Sequence, residues 1–237
     1  MNWFSIENMK IFEKDLAKYT LEQTLPVLVG YFFLGIGFGI LLEKSGYGVL
    51  ECIFMSVFIF SGSMQYAIIG LLDGGVSLFT AFMSTIIINA RYFFYSLSLV
   101  GKYQNTGWRK PYLIHSIVDE AYAIISENDA PEGYEEADYW LAVSLYDHCY
   151  WIVSTIIGVL LGRMIPLELK GIDFVMTALF VTIFVEQWLK SDDHLPALMG
   201  IVIPIVCLEF FGHEHFLWIS MIVLSICCMF YKERGTS

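Results

Sequence analysis

The chain has 237 residues, 57% of them hydrophobic and only 16% charged, with a mean hydropathy of +0.64. A soluble domain of this length carries more charge and shorter apolar runs, so the composition excludes a water-soluble protein and identifies a membrane protein. The net charge of −11 excludes a nucleic-acid binder, which needs a basic patch.

Residues 1–22 read as an amphipathic N-terminal helix and 23–237 as a single transmembrane domain. Met9, Phe12, Leu16 and Tyr19 form one stripe at helical spacing, and Lys10, Lys14 and Lys18 recur on another face. Such a helix either lies in the membrane interface with its lysines toward anionic headgroups or simply leads into the bundle. The N-terminus lacks the basic, apolar and small-residue order of a signal peptide.

Seven apolar stretches follow, at 24–42, 48–71, 76–100, 139–161, 172–190, 195–211 and 215–231. Each approaches or exceeds the ~20 residues that cross a bilayer. The expected fold is therefore all-α, a polytopic transmembrane bundle of about seven spans. A further stretch at 112–126 (YLIHSIVDEAYAIIS) is apolar but short and interrupted by Asp119 and Glu120. It reads as a half-span, a re-entrant segment or an eighth crossing. Gly30, Gly35, Gly37 and Gly39 in the first span predict close packing on a partner helix. The acidic run ENDAPEGYEEAD reads as a solvated loop. Cys52, Cys149, Cys207, Cys227 and Cys228 all lie in apolar stretches without CxxC spacing and read as small core hydrophobes. Lysines and arginines are scattered, and counting them over seven or eight crossings favours a cytoplasmic N-terminus only weakly.

Two stretches carry a polar cluster midway. In FSGSMQY, Gly62 between Ser61 and Ser63 predicts a break in the helix. Such a break frees backbone groups for a ligand, and Gln65 lies one turn on. In the next, Asn89 precedes Arg91, a guanidinium too costly to leave in lipid and shaped for a carboxylate. On a regular helix the two point about 200° apart, so both face one cavity only where the backbone deviates. Arg91 also suits an ion pair with Asp119 or Glu120, for which a substrate would compete. On one helix His115, Asp119 and Tyr122 would share a face, a setting for proton coupling or for holding an ammonium. Ser144, Asp147, His148, Trp151 and Thr155 form a polar and aromatic stripe, a proton relay or a helix-pairing face, with Asp147 at shallow depth. Glu186, Gln187 and Glu209 approach span ends and read as interfacial. His213-Glu214-His215 is too small a set to close a metal site. No cofactor or metal is expected.

The order LPVLVGYFFLGIGFG, FSGSMQYA, NARYFFYSLSL and VDEAYAI resembles the AzlC family, the large subunit of bacterial branched-chain amino acid exporters. Gly62-Ser63-Met64-Gln65, Asn89-Ala90-Arg91 and Asp119-Glu120 match its motifs. Tyr92 stands where relatives often have histidine, and Ser61 where many have alanine or glycine. The resemblance implies a multi-pass protein of the bacterial cytoplasmic membrane that exports leucine, isoleucine, valine or another hydrophobic amino acid, with a small AzlD-type membrane subunit. Substrate contacts fall to Ser61, Gly62, Ser63, Gln65, Asn89, Arg91, Asp119 and Glu120, and proton coupling to His115, Asp119, Asp147 or His148. The chain has no ATP-binding motif, so an ion gradient, taken as protons, or another chain supplies the energy. Two other readings are a non-transporting assembly subunit and an intramembrane serine hydrolase, with Ser61 or Ser63 as nucleophile and His115 or His148 as base.

Overall fold

The computed structural model describes residues 11, 13–164, 181, 184–185, 188–189 and 193–230. Every regular element among them is helical, and the chain divides into two compact units, 1–172 and 173–237. The first contains α1 (Lys14–Lys44), α2 (Val49–Phe58), α3 (Gly62–Asp73), α4 (Leu78–Ile88), α5 (Ala90–Leu99), α6 (Lys110–His115), α7 (Asp119–Glu127) and α8 (Glu136–Met164), with two short 3-10 turns between α5 and α6. The second contains α9 (Leu195–Phe230), bent at Gly212, whose φ of 69° suits glycine. The two arms of α9 take the places of the expected spans 195–211 and 215–231. Span 172–190, with Glu186 and Gln187, lies mostly outside the described residues, as do the side chains of His213, Glu214 and His215.

Helices α1 and α8 form the spine of the first unit, and both are long and apolar enough to cross a membrane. They pack in parallel. Tyr19 meets Tyr139 near their start, Tyr31 meets Trp151 midway, and Gly39 abuts Gly158 farther along. The approach is backbone on backbone. A Cβ on Gly39 would collide with the Thr155 carbonyl, and one on Gly158 with the Ile36 carbonyl. Gly35 lies against the Ser154 side chain, whereas Gly30 faces open space. The small-residue face expected of the first span is thus carried by Gly35 and Gly39, with Gly158 as the partner the sequence reading missed. The part of the expected amphipathic helix that is described, from Lys14 onward, runs unbroken into the span. Leu16 and Thr20 are buried there, while Lys14 and Lys18 are exposed.

The stretches between α1 and α8 depart from the expectation of simple spans. Gln65 of α3 reaches back to Ser56 of α2, at 3.4 Å, and Ile68 and Leu72 line one apolar groove with Tyr47, Leu50 and Phe54. Helices α2 and α3 therefore fold back as a hairpin whose two outer ends lie at the Lys44 end of the spine. At 10 and 12 residues they measure about 15–18 Å, half the thickness of a bilayer core. Stretch 48–71 is two short helices folded back on each other, where the composition predicts one continuous span. Its apolar length is right for one crossing, but Phe60, at φ 33°, turns the chain round. Helices α4 and α5 continue across the unit with a kink at Asn89.

A second hairpin enters from the opposite end. Arg109, just before α6, pairs with Asp138 at the start of α8, and Tyr112 reaches His148 one level deeper. After the break at 116–118, α7 returns, with Tyr122 at Ser98 and the Ile125 carbonyl at Lys102. The stretch at 112–126 is thus two short helices, so His115 does not share a helical face with Asp119 and Tyr122. Cys149 is exposed on α8, whereas Cys52 and Cys207 are buried.

Because the spine seam tolerates no added atoms, Gly39→Val should lower the unfolding free energy by ~1–3 kcal/mol or more, whereas Gly30→Val should be near neutral. Denaturant unfolding in detergent micelles checks both.

Candidate functional site

Three interruptions meet at mid-depth: the α2–α3 break, the Asn89 kink and the α6–α7 break. Helix α2 ends here, and its last carbonyls lose their helical partners. The Ser56 carbonyl accepts from His148 Nε2 at 3.0 Å, and the Val57 carbonyl accepts from His115 Nε2 at 2.9 Å. With Nε2 donating, the neutral His148 ring accepts the Tyr112 hydroxyl at Nδ1, 2.8 Å away. Phe60 stacks on the same imidazole with centroids 4.1 Å apart, which holds the strained turn in place.

Ser61 precedes α3 and Val118 precedes α7, and neither helix start is capped by a side chain. Ser61 turns sideways. Its hydroxyl donates to Asn89 Oδ1 at 2.8 Å and accepts from Tyr92 at 3.3 Å. Arg91 Nη2 donates to Ser63 Oγ at 2.6 Å, and Nη1 meets Asp119 Oδ2 at 3.0 Å. Asp119 also accepts from the Tyr95 hydroxyl at 2.8 Å, and Tyr95 stacks on Tyr122. The Arg91 and Asp119 side chains remain 32% and 34% exposed, so the pair is open to a ligand. Arg91 Nε is enclosed without a partner, a spare donor on a group shaped for carboxylates.

Ser61, Gly62, Ser63, Asn89, Arg91 and Asp119 thus come together as the sequence predicts, the kink at Asn89 overcoming the 200° separation. Glu120, next in the chain, faces the spine and accepts the Tyr31 hydroxyl at 2.8 Å. Gln65 lies behind the break. It is fully buried, accepts from Trp151 Nε1 and donates to Ser56, which meets Thr155 at 3.0 Å. Gly62 leaves room for that indole, since a Cβ there would sit 3.2 Å from it. Asp147 is fully buried, and neither carboxylate oxygen has a protein partner. Tyr31, Tyr95 and Ser56 were missed; their signal is a hydroxyl inside an apolar run, too common to single out.

His148→Phe keeps an aromatic ring on Phe60 but leaves the Ser56 carbonyl unpaired. It should cost ~1–3 kcal/mol of stability, read by denaturant unfolding in micelles.

Comparison with known proteins gives a family. The family model described as AzlC protein matches residues 26–165. An uncharacterized membrane protein of Helicobacter pylori (strain ATCC 700392 / 26695) is 37% identical over 92% of this chain and 95% of its own. The branched-chain amino acid transport protein AzlC of Bacillus subtilis (strain 168) is 36% identical over 85% of this chain and 79% of its own. The inner membrane protein YgaZ of Escherichia coli K12 is 23% identical, covering 73% of each. No solved structure gives a significant match. The chain, a membrane protein with long apolar helices, belongs to the AzlC family of transport proteins and is not an enzyme.

Proposed function

We propose that this protein exports branched-chain or similar hydrophobic amino acids (leucine, isoleucine, valine) across the bacterial cytoplasmic membrane, driven by a proton gradient and assisted by a small AzlD-type subunit. The observation that carries the reading is the Arg91–Asp119 pair, held at 3.0 Å where two helical hairpins from opposite ends of the bundle meet. Arg91, Ser63 and the uncapped start of α3 hold the carboxylate. Asp119 is already committed to Arg91 and Tyr95, so Glu120 holds the ammonium. Alternating access follows from moving one hairpin at a time away from the fixed spine.

The hydrolase reading finds no support, since Ser61 and Ser63 bond Asn89 and Arg91 while both histidines bond carbonyls. The assembly-subunit reading is tested below.

The hairpins also change the orientation argument. Among the described residues of the first unit, Lys14, Lys18, Lys102, Arg109 and Lys110 lie at the end where α1 begins, against Lys44 and Arg163 at the other. The excess puts the N-terminus of α1 in the cytoplasm. Single cysteines at Gly46 and Gly75 should then react with an impermeant maleimide in intact cells, whereas cysteines at Gly107 and Gly133 should react only after permeabilisation. Accessibility alternating between Gly46 and Gly75 would restore the span at 48–71.

In proteoliposomes, labelled leucine should show saturable counterflow, measured with the chain alone and with its small partner. Arg91→Ala should abolish it with membrane insertion intact. Arg91→Lys, which loses the two-pronged grip, should cut it by roughly 10–100-fold, about 1.5–3 kcal/mol for a hydrogen bond to a charged group. Counterflow in Arg91→Ala at the wild-type rate would sink this site. No counterflow of any hydrophobic amino acid by folded wild type, with or without the partner, would favour the assembly-subunit reading.

A further inference from the structure

Helix α8 carries a row of polar atoms that the substrate site does not use. Tyr139 Oη, Trp140 Nε1, Ser144 Oγ and both Asp147 oxygens are enclosed and have no protein partner, as is Thr20 Oγ1 on α1 opposite. One such atom is a local defect, but a run of them along one helix calls for water, because buried polar groups are otherwise hydrogen-bonded. Trp140, Ser144 and Asp147 follow helical spacing on one face.

Asp147 stands at the inner end of this row. The titratable groups close enough to exchange charge effects with it are Tyr31 of α1, Glu120 of α7 and Tyr112 of α6, with Tyr139 and Tyr150 on its own helix. Asp147 lies within reach of the Glu120 charge, and Tyr31 donates to that same Glu120. The neighbouring His148 has both ring nitrogens engaged, at Ser56 and Tyr112, and His115 is spent on Val57. Neither histidine is placed to carry a proton through. An isolated ionised carboxylate at this depth has a high cost, so the group alternates between a neutral acid and a carboxylate offset by a cation nearby.

We propose that Asp147 is the proton-binding site of the transporter, reached from the α1 start through a water-filled path along Trp140 and Ser144, and that its proton is exchanged against the substrate ammonium at Glu120. This rests on the transport reading above. On loading, an ammonium at Glu120 sets a positive charge beside Asp147. The Asp147 O–H bond then breaks, its electron pair stays on the carboxylate, and the proton passes to water at Ser144. When the amino acid leaves, the O–H bond re-forms with a proton taken from water on the side to which the substrate is released, so that proton and substrate move in opposite directions. One proton is exchanged for one zwitterionic amino acid, and no redox step or co-reactant is involved.

Full-length protein in liposomes holding a trapped pH dye provides the test. In the wild type a proton gradient should drive labelled leucine flux, and leucine should in turn evoke a dye signal. Asp147→Asn should lose both the gradient dependence and the dye signal, Asp147→Glu should restore them, and Ser144→Val should slow gradient-driven flux more than counterflow. Gradient-driven flux that persists in Asp147→Asn overturns the proposal, and so does a sodium gradient that replaces protons in the wild type. Infrared difference spectra decide the site independently of transport. A carboxylic-acid carbonyl band at neutral pH that vanishes in Asp147→Asn supports it even if leucine counterflow fails, and a band unchanged in that variant overturns it. Failure of wild-type counterflow with the band present counts against the transport reading alone.

Discussion

A helix that stops inside a bilayer leaves peptide groups where there is no water to bind them, and the whole first unit is arranged around that constraint. Helix α2 halts at mid-depth, and two of its freed carbonyls are each taken by an imidazole, His148 from the spine and His115 from the opposite hairpin. These two bonds join three elements at one point. They let the chain turn through Phe60 and present the start of α3 to the interior. The uncapped helix start and the strained turn survive because the spine holds still behind them.

The spine is rigid for a different reason. Lipid offers no hydrophobic drive for helices to associate, so close van der Waals packing must do it. Glycines on both α1 and α8 bring the backbones into contact, and the parallel run places Tyr31 and Trp151 at the level of the breaks. With both helices running the same way, the chain between them must cross an odd number of times. Helices α4 and α5 supply the crossing, and the two hairpins each return to their own side.

Charge at the centre is unbalanced in a way that suits the proposed chemistry. Arg91 meets Asp119, while Glu120 and Asp147 have no cation bonded to them among the described residues. A site with surplus carboxylate calls for a cationic group or protons, and a zwitterionic amino acid with its carboxylate at Arg91 brings an ammonium to the surplus. Substrate and proton are then two ways of meeting one electrostatic demand.

Much of this was legible beforehand. Apolar runs marked every helix-rich stretch, Gly62 marked the break, and Arg91 with Asp119 marked the pair, because a guanidinium in an apolar run must find an anion. Gly35 and Gly39 marked the seam. The linear pattern by itself determined which residues are too polar for lipid and hence which must converge. What only tertiary structure decided was direction. Stretch 48–71 has the composition of a span whether the chain goes on or doubles back, since hydropathy counts residues and is blind to a φ of 33° at Phe60. The same holds for the histidines and Asp147: their roles depend on whether a partner lies opposite, and that partner comes from an element far along the chain. His148 met a carbonyl and Asp147 met none.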